Sequence, residues 1–103
     1  MSNIGKLMKQ ATRMQQQMER VQQELALKTV EGIAGGGTVK VVAKCDQTLV
    51  SIKLSPDAVN PQDVGFLEDL IVTAVNDAMG RAKDTANREM NAVSQGFSIP
   101  GLM

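Results

Sequence analysis

The stretch GGGTVKVVAKCDQTLVSIKLS, Gly35–Ser55, decides the fold. Its three glycines break any helix and admit positive φ. Beyond them the hydrophobic period is two. Val39, Val41, Ala43 and Cys45 share one face, and Lys40, Val42 and Lys44 share the other. Asp46 and Gln47 make a turn. Thr48–Leu54 then alternates again, with Val50, Ile52 and Leu54 set against Leu49, Ser51 and Lys53. Two such runs around a short polar break predict an antiparallel hairpin. A hairpin alone is marginal in water, so a third strand is expected ahead of the glycines, at Lys28–Ile33. The sheet then occupies about residues 29–55.

Outward from the sheet the period changes to that of a helix. Upstream, Ile4, Leu7, Ala11, Met14, Met18, Val21 and Leu25 recur at alternating spacings of three and four. This is a heptad seam. It predicts a first helix over about residues 3–28, close to 40 Å long at ~1.5 Å per residue, capped by Ser2 or Asn3. Downstream, Asn60 followed by Pro61 has the form of an N-cap and first helical residue. Val64, Leu67, Ile71, Ala74, Ala78 and Ala82 continue with helical spacing. A second helix over about 61–95 is expected, then a Pro-Gly tail over 96–103, too short for an element of its own.

The expected class is α+β, a single domain over 1–103 with the order α-β-β-β-α: two long helices flanking a small antiparallel sheet. Helices of this length must project from a body of so few residues. A second copy of the chain is the simplest cover for a projecting heptad seam, so a homodimer is expected. Ile4, Leu7, Met14, Met18, Val21, Leu25, Leu67, Ile71, Ala74 and Ala78 are the expected core and dimer positions.

Composition narrows the function. Of 103 residues only Phe66 and Phe97 are aromatic, so base-stacking platforms have no material. There is no histidine, which removes catalytic triads and histidine metal sites. The single cysteine, Cys45, forms no intramolecular disulfide and is expected to be a small buried hydrophobe. No apolar run reaches the ~20 residues of a membrane span, and the polar opening lacks the apolar core of a signal peptide. A cytoplasmic protein is expected, with no enzyme activity, cofactor, membrane or small-molecule substrate.

Charge is balanced overall, eleven basic against eleven acidic residues, but unevenly distributed. Residues 1–53 hold eight basic and four acidic side chains; residues 54–103 hold three and seven. Lys6, Arg13 and Arg20 are seven apart and share one heptad position, with Lys9 beside them. Residues 1–18 contain no acid. A basic stripe thus runs along the first helix, off its apolar seam. It suits either a solvated coiled-coil flank or a phosphate-contacting face. Lys40, Lys44 and Lys53 offer a second basic surface on the sheet. The Gly35-Gly36-Gly37 run lacks the continuation of a phosphate-binding loop and is not followed by a helix. Glu68 with Asp69, and Asp77 with Asp84, lack the further ligands of a metal site.

Three segments together resemble the YbaB/EbfC family of bacterial nucleoid-associated proteins: the Met/Gln-rich LMKQATRMQQQMERVQQEL, Leu7–Leu25; the Gly-rich hairpin entry already quoted; and LEDLIVTAVNDAMGRAKD, Leu67–Asp84. The ending FSIPGL, Phe97–Leu102, also fits. The resemblance implies a tweezer-like homodimer whose sheets associate across the two-fold while the helices project as arms. It implies duplex DNA binding by those arms with little sequence specificity, a place at the nucleoid, an influence on nucleoid organisation and gene expression, and no cofactor. Many members carry Asn-Gly near the hairpin turn, where this chain has Cys45-Asp46-Gln47-Thr48, so a different turn type is expected. From the acidic second half only Arg81, Lys83 and Arg88 are candidates for DNA contact. The alternative is a structural or adaptor coiled-coil dimer that grips another protein.

Overall fold

The elements follow the expected order in the computed structural model, which describes residues Ser2–Gly96. Helix α1 spans Ser2–Leu25, strands β1, β2 and β3 span Thr29–Ala34, Val39–Lys44 and Thr48–Leu54, and helix α2 spans Val64–Gly96. The expected tail from Phe97 onward lies outside the described residues. The three strands form one antiparallel sheet in the order β1-β2-β3. The fold is α+β, as the alternation of periods required.

The period-two pattern becomes burial directly. Val39, Val41 and Ala43 are fully buried beneath α2. They meet Ala74 and Ala78, which with Ala82 recur every four residues along α2, all three fully buried. Leu67 and Ile71 continue that face, half-buried. Such small residues let helix and sheet backbones approach closely. The approach is tightest at Gly32 of β1, where a Cβ would overlap the Ala78 backbone nitrogen and the Ala74 carbonyl oxygen.

The β2–β3 turn closes without glycine. Gln47 takes a left-handed φ of 72°, its N–H donates to the Lys44 carbonyl at 3.0 Å, and Asp46 Oδ1 accepts from Thr48 N–H at 3.1 Å. The register then shifts by one residue. Val42 pairs with Ser51 but Ala43 with Leu49, leaving Val50 as the extra residue of a β-bulge. This places Leu49, Ile52 and Leu54 beside the buried residues of β2, on the face that α2 covers. Val50 therefore does not keep the strict alternation expected of it.

Both helices differ from expectation at their ends. Asn60 and Pro61 do not open α2: Asn60 Oδ1 accepts from Gln62 N–H at 2.9 Å, a local Asx turn. The cap is Asp63, whose Oδ1 accepts from Phe66 N–H at 3.3 Å, as a short acidic side chain does at a helix start. The second helix thus starts at residue 64, not 61, and runs to 96. The first ends at Leu25, not 28, because residues 26–28 turn the chain into β1; Cys45 N–H then donates to the Lys28 carbonyl at 2.9 Å. Ser2 and Asn3 are already helical, so neither is the expected cap.

α1 packs antiparallel along the C-terminal half of α2. Leu25 is buried, and shares a cleft with Cys45, Ala86 and Met90. Further out, Gln17 and Val21 face Val93 and Gly96 across an apolar groove. There α2 ends, and among the described residues α1 continues alone. The result is a rod of 74 × 24 × 16 Å with a radius of gyration of 20.1 Å, against ~13 Å for a compact chain of this length.

Candidate nucleic-acid interface

The heptad seam divides where α2 stops. Met14, Met18 and Val21 are half-buried, whereas Ile4 and Leu7 are 67% and 51% exposed. The same outer length of α1 carries the basic stripe. Lys6, Lys9 and Arg13 line one shallow depression of about 260 Å³ together with Gln10. Arg20 follows at the same heptad position and is exposed. The helix explains the grouping: residues three, four and seven apart share a side. Among the described residues the ion pairs are Lys28 with Glu89 and Arg81 with Asp77, and neither involves the stripe.

A second basic group lies on the sheet face turned away from α2. The register sets Lys40 directly opposite Lys53, with Lys44 two residues beyond Val42 along β2 on the same side. Like charges facing each other across strands are destabilising. On β1 the neighbour opposite Lys40 is Ile33, which supplies no acid; Glu31 stands opposite Val42. The structure thus gathers the expected basic residues into two groups on separate elements. It leaves Arg81 tied to Asp77 by its Nε at 3.1 Å, and Lys28, which the stripe does not include, tied to Glu89. That partner raises the Lys28 pKa above its usual value, chiefly through the hydrogen bond.

The other polar groups serve the fold. Asp77 Oδ2 accepts from the backbone N–H of Ile33 at 3.0 Å. That hydrogen bond, helped by Arg81, holds its carboxyl below the usual range. Asp77 therefore ties α2 to the outer edge of β1. No motif in the sequence marks this role. Cys45 is buried, and burial pushes its thiol pKa up, away from reactivity. Among the described residues no three side chains of metal-binding type come together.

A family model described as the YbaB/EbfC DNA-binding family matches residues 1–97. The chain belongs to the YbaB/EbfC DNA-binding family. A nucleoid-associated protein of Pelotomaculum thermopropionicum is 48% identical over 100 residues, 97% of this chain and 95% of that one. Another, from Moorella thermoacetica, is 48% identical over 102 residues, 99% of this chain and 98% of that one. An uncharacterized protein of Helicobacter pylori has the same fold, with a TM-score of 0.69 over 92% of this chain and 95% of that one, at 19% identity. In this chain the YbaB/EbfC fold presents its basic residues on an arm and a sheet face.

Proposed function

We propose that this protein is a non-enzymatic, nucleoid-associated protein that binds duplex DNA as a homodimer with little sequence specificity. The observation that carries the reading is the arm. Lys6, Lys9 and Arg13 stand side by side on a projecting helix that holds no acid up to Met18. Cations so placed neutralise phosphates and release counterions, which needs no base contact. Arg20 extends the stripe, and Lys40, Lys44 and Lys53 form a second phosphate-contacting surface. Membership in a DNA-binding family supports the same partner.

The homodimer rests on a different surface. Leu49, Val50, Ile52 and Leu54 of β3 are 40–52% exposed, although three of them lie on the sheet face that α2 covers elsewhere. A second copy meeting the first across β3 buries them and leaves both arms free. Each copy then carries one basic arm, and the pair holds two at a fixed separation.

The test is a Lys6→Ala, Lys9→Ala, Arg13→Ala variant, titrated against random duplexes at two salt concentrations. It should keep its fold, since these positions lie off the seam. It should bind every sequence more weakly by a similar factor, with the salt slope reduced by about one for each phosphate no longer neutralised. If it binds as the parent does while Lys40→Ala, Lys44→Ala, Lys53→Ala fails, the sheet is the grip. If the parent's affinity ignores salt, the adaptor reading replaces DNA binding.

A further inference from the structure

The two ends of the rod carry opposite charge. α1 projects past the C-terminal end of α2, so the outer arm and the start of α2 lie at opposite ends of the 74 Å axis. The arm end has Lys6, Lys9 and Arg13 and no acid up to Met18. The other end is the reverse. From Leu54 to Gly80 the sequence has five acids, Asp57, Asp63, Glu68, Asp69 and Asp77, and no base. Asp77 is taken up by Ile33 and Arg81. The other four are exposed and, among the described residues, stand in no ion pair. The acidic end also offers a seat. Asp63, Gly65, Phe66, Glu68 and Asp69 line a shallow depression of about 480 Å³. Phe66 is 59% exposed and Val72 58%. Asp69 lies three residues from each and joins them on the helix surface. An exposed ring among carboxylates is suited to a basic side chain. The ring face attracts the cation, the apolar surface takes the alkyl stem, and the carboxylates bind the head.

We infer that this depression receives the basic arm of another copy, so that molecules join end to end. Lys6, Lys9 and Arg13 of the incoming arm lay their stems on Phe66 and Val72 and set their charges against Asp63, Glu68 and Asp69. Lengths agree. Lys6 to Arg13 is about 10 Å of helix and Asp63 to Asp69 about 9 Å, at ~1.5 Å per residue. The length of the rod keeps a chain's own arm from its own acidic end, so the contact lies between molecules. Unlike patches meeting head to tail add copies without limit unless a ring closes. The β3 contact instead joins like to like and stops at two. The end-to-end contact needs neither DNA nor β3, and holds or fails apart from both.

Sedimentation equilibrium with a charge exchange tests it. In about 10 mM salt, where charges act over ~30 Å, the parent's mass should pass that of two chains and rise with concentration. In about 1 M salt, where the range is ~3 Å, it should fall to two chains or fewer. A parent that never passes two chains at low salt overturns the inference. Lys6→Glu, Lys9→Glu and Glu68→Lys, Asp69→Lys should each keep the helices by circular dichroism and lose end-to-end affinity about tenfold or more. Mixed in equal amounts they should regain it, because each reversed patch then meets its opposite on the other variant. A Glu19→Lys, Glu24→Lys variant, with the same net charge as the second but its changes elsewhere, should not restore the first. A mixture that stays apart overturns the inference, and so does equal restoration by this control. Phe66→Ser, which alters no charge, should weaken the association about threefold; an unchanged affinity removes the ring from the seat and overturns it.

Discussion

The two outer strands of the sheet have opposite surroundings. β1 lies under α2, pressed so close at Gly32 that no side chain fits, and Asp77 hydrogen-bonds the backbone of its outer edge. β3 has six of its seven residues exposed, and its edge faces nothing in the chain's described part. An unpaired edge flanked by Ile, Leu and Val is a template for another strand. The lesson is that one helix of 33 residues is too narrow to cover three strands. That helix covers β1 and β2 and leaves β3 exposed.

The largest effect should come from breaking the covered side. Gly32→Val forces a branched side chain into the Ala74 and Ala78 backbone, which cannot yield as a side-chain tip would. A loss above ~3 kcal/mol is expected, at or beyond the usual range for overpacking, seen in urea as a collapse of the midpoint or no folded protein at all. The open side should respond differently. Ile52→Asp should leave the monomer's helical content intact while weakening self-association about a hundredfold, ~2.7 kcal/mol. Sedimentation equilibrium across a dilution series reads this directly. A variant as dimeric as the parent would remove β3 from the interface.

These expectations show where the sequence was informative. The alternation in Gly35–Ser55 foretold the β2–β3 hairpin and the buried side of β2, because a period of two leaves one face for the core. Ala74 and Ala78 were equally legible, as small residues at helical spacing. What no periodicity carries is the identity of the opposing surface. The heptad from Ile4 to Leu25 is unbroken, yet α2 covers it only from Met14 inward. Likewise, Asn60-Pro61 has the chemistry of a helix start, but an Asx turn satisfies the same side chain, and Asp63 takes the cap. The opposition of Lys40 and Lys53 depends on strand register, and the bulge at Val50 shows that register is not fixed by alternation alone. Asp77 reaches β1 across 44 residues of chain, a distance at which local pattern is silent.

A smaller effect tests the seal on β1. Asp77 has a depressed pKa in the folded state, so its ionised form stabilises the fold. That contribution is present above the unfolded value of 3.8 and is lost as pH falls through the folded value. Asp77→Asn should therefore be less stable than the parent at neutral pH, with the difference shrinking below about pH 4. Urea midpoints at several pH values measure it, and a gap that stays constant into acid would deny Asp77 its charged role. The smallest effect belongs to the β3 side. Gln47 holds a left-handed φ that glycine adopts without strain. Gln47→Gly should stabilise the hairpin by ~0.5 kcal/mol, the relief of strain less the added freedom of the unfolded chain. A thermal scan of both proteins resolves the sign.

The 74 Å length also bears on how the molecule behaves in solution. A rod tumbles and diffuses like a sphere of greater mass. On a sizing column calibrated with globular standards, even a single 11.0 kDa chain should elute ahead of its weight. Elution volume therefore confuses elongation with pairing. Light scattering or sedimentation equilibrium, whose signals depend on mass and not on drag, distinguishes one arm from two.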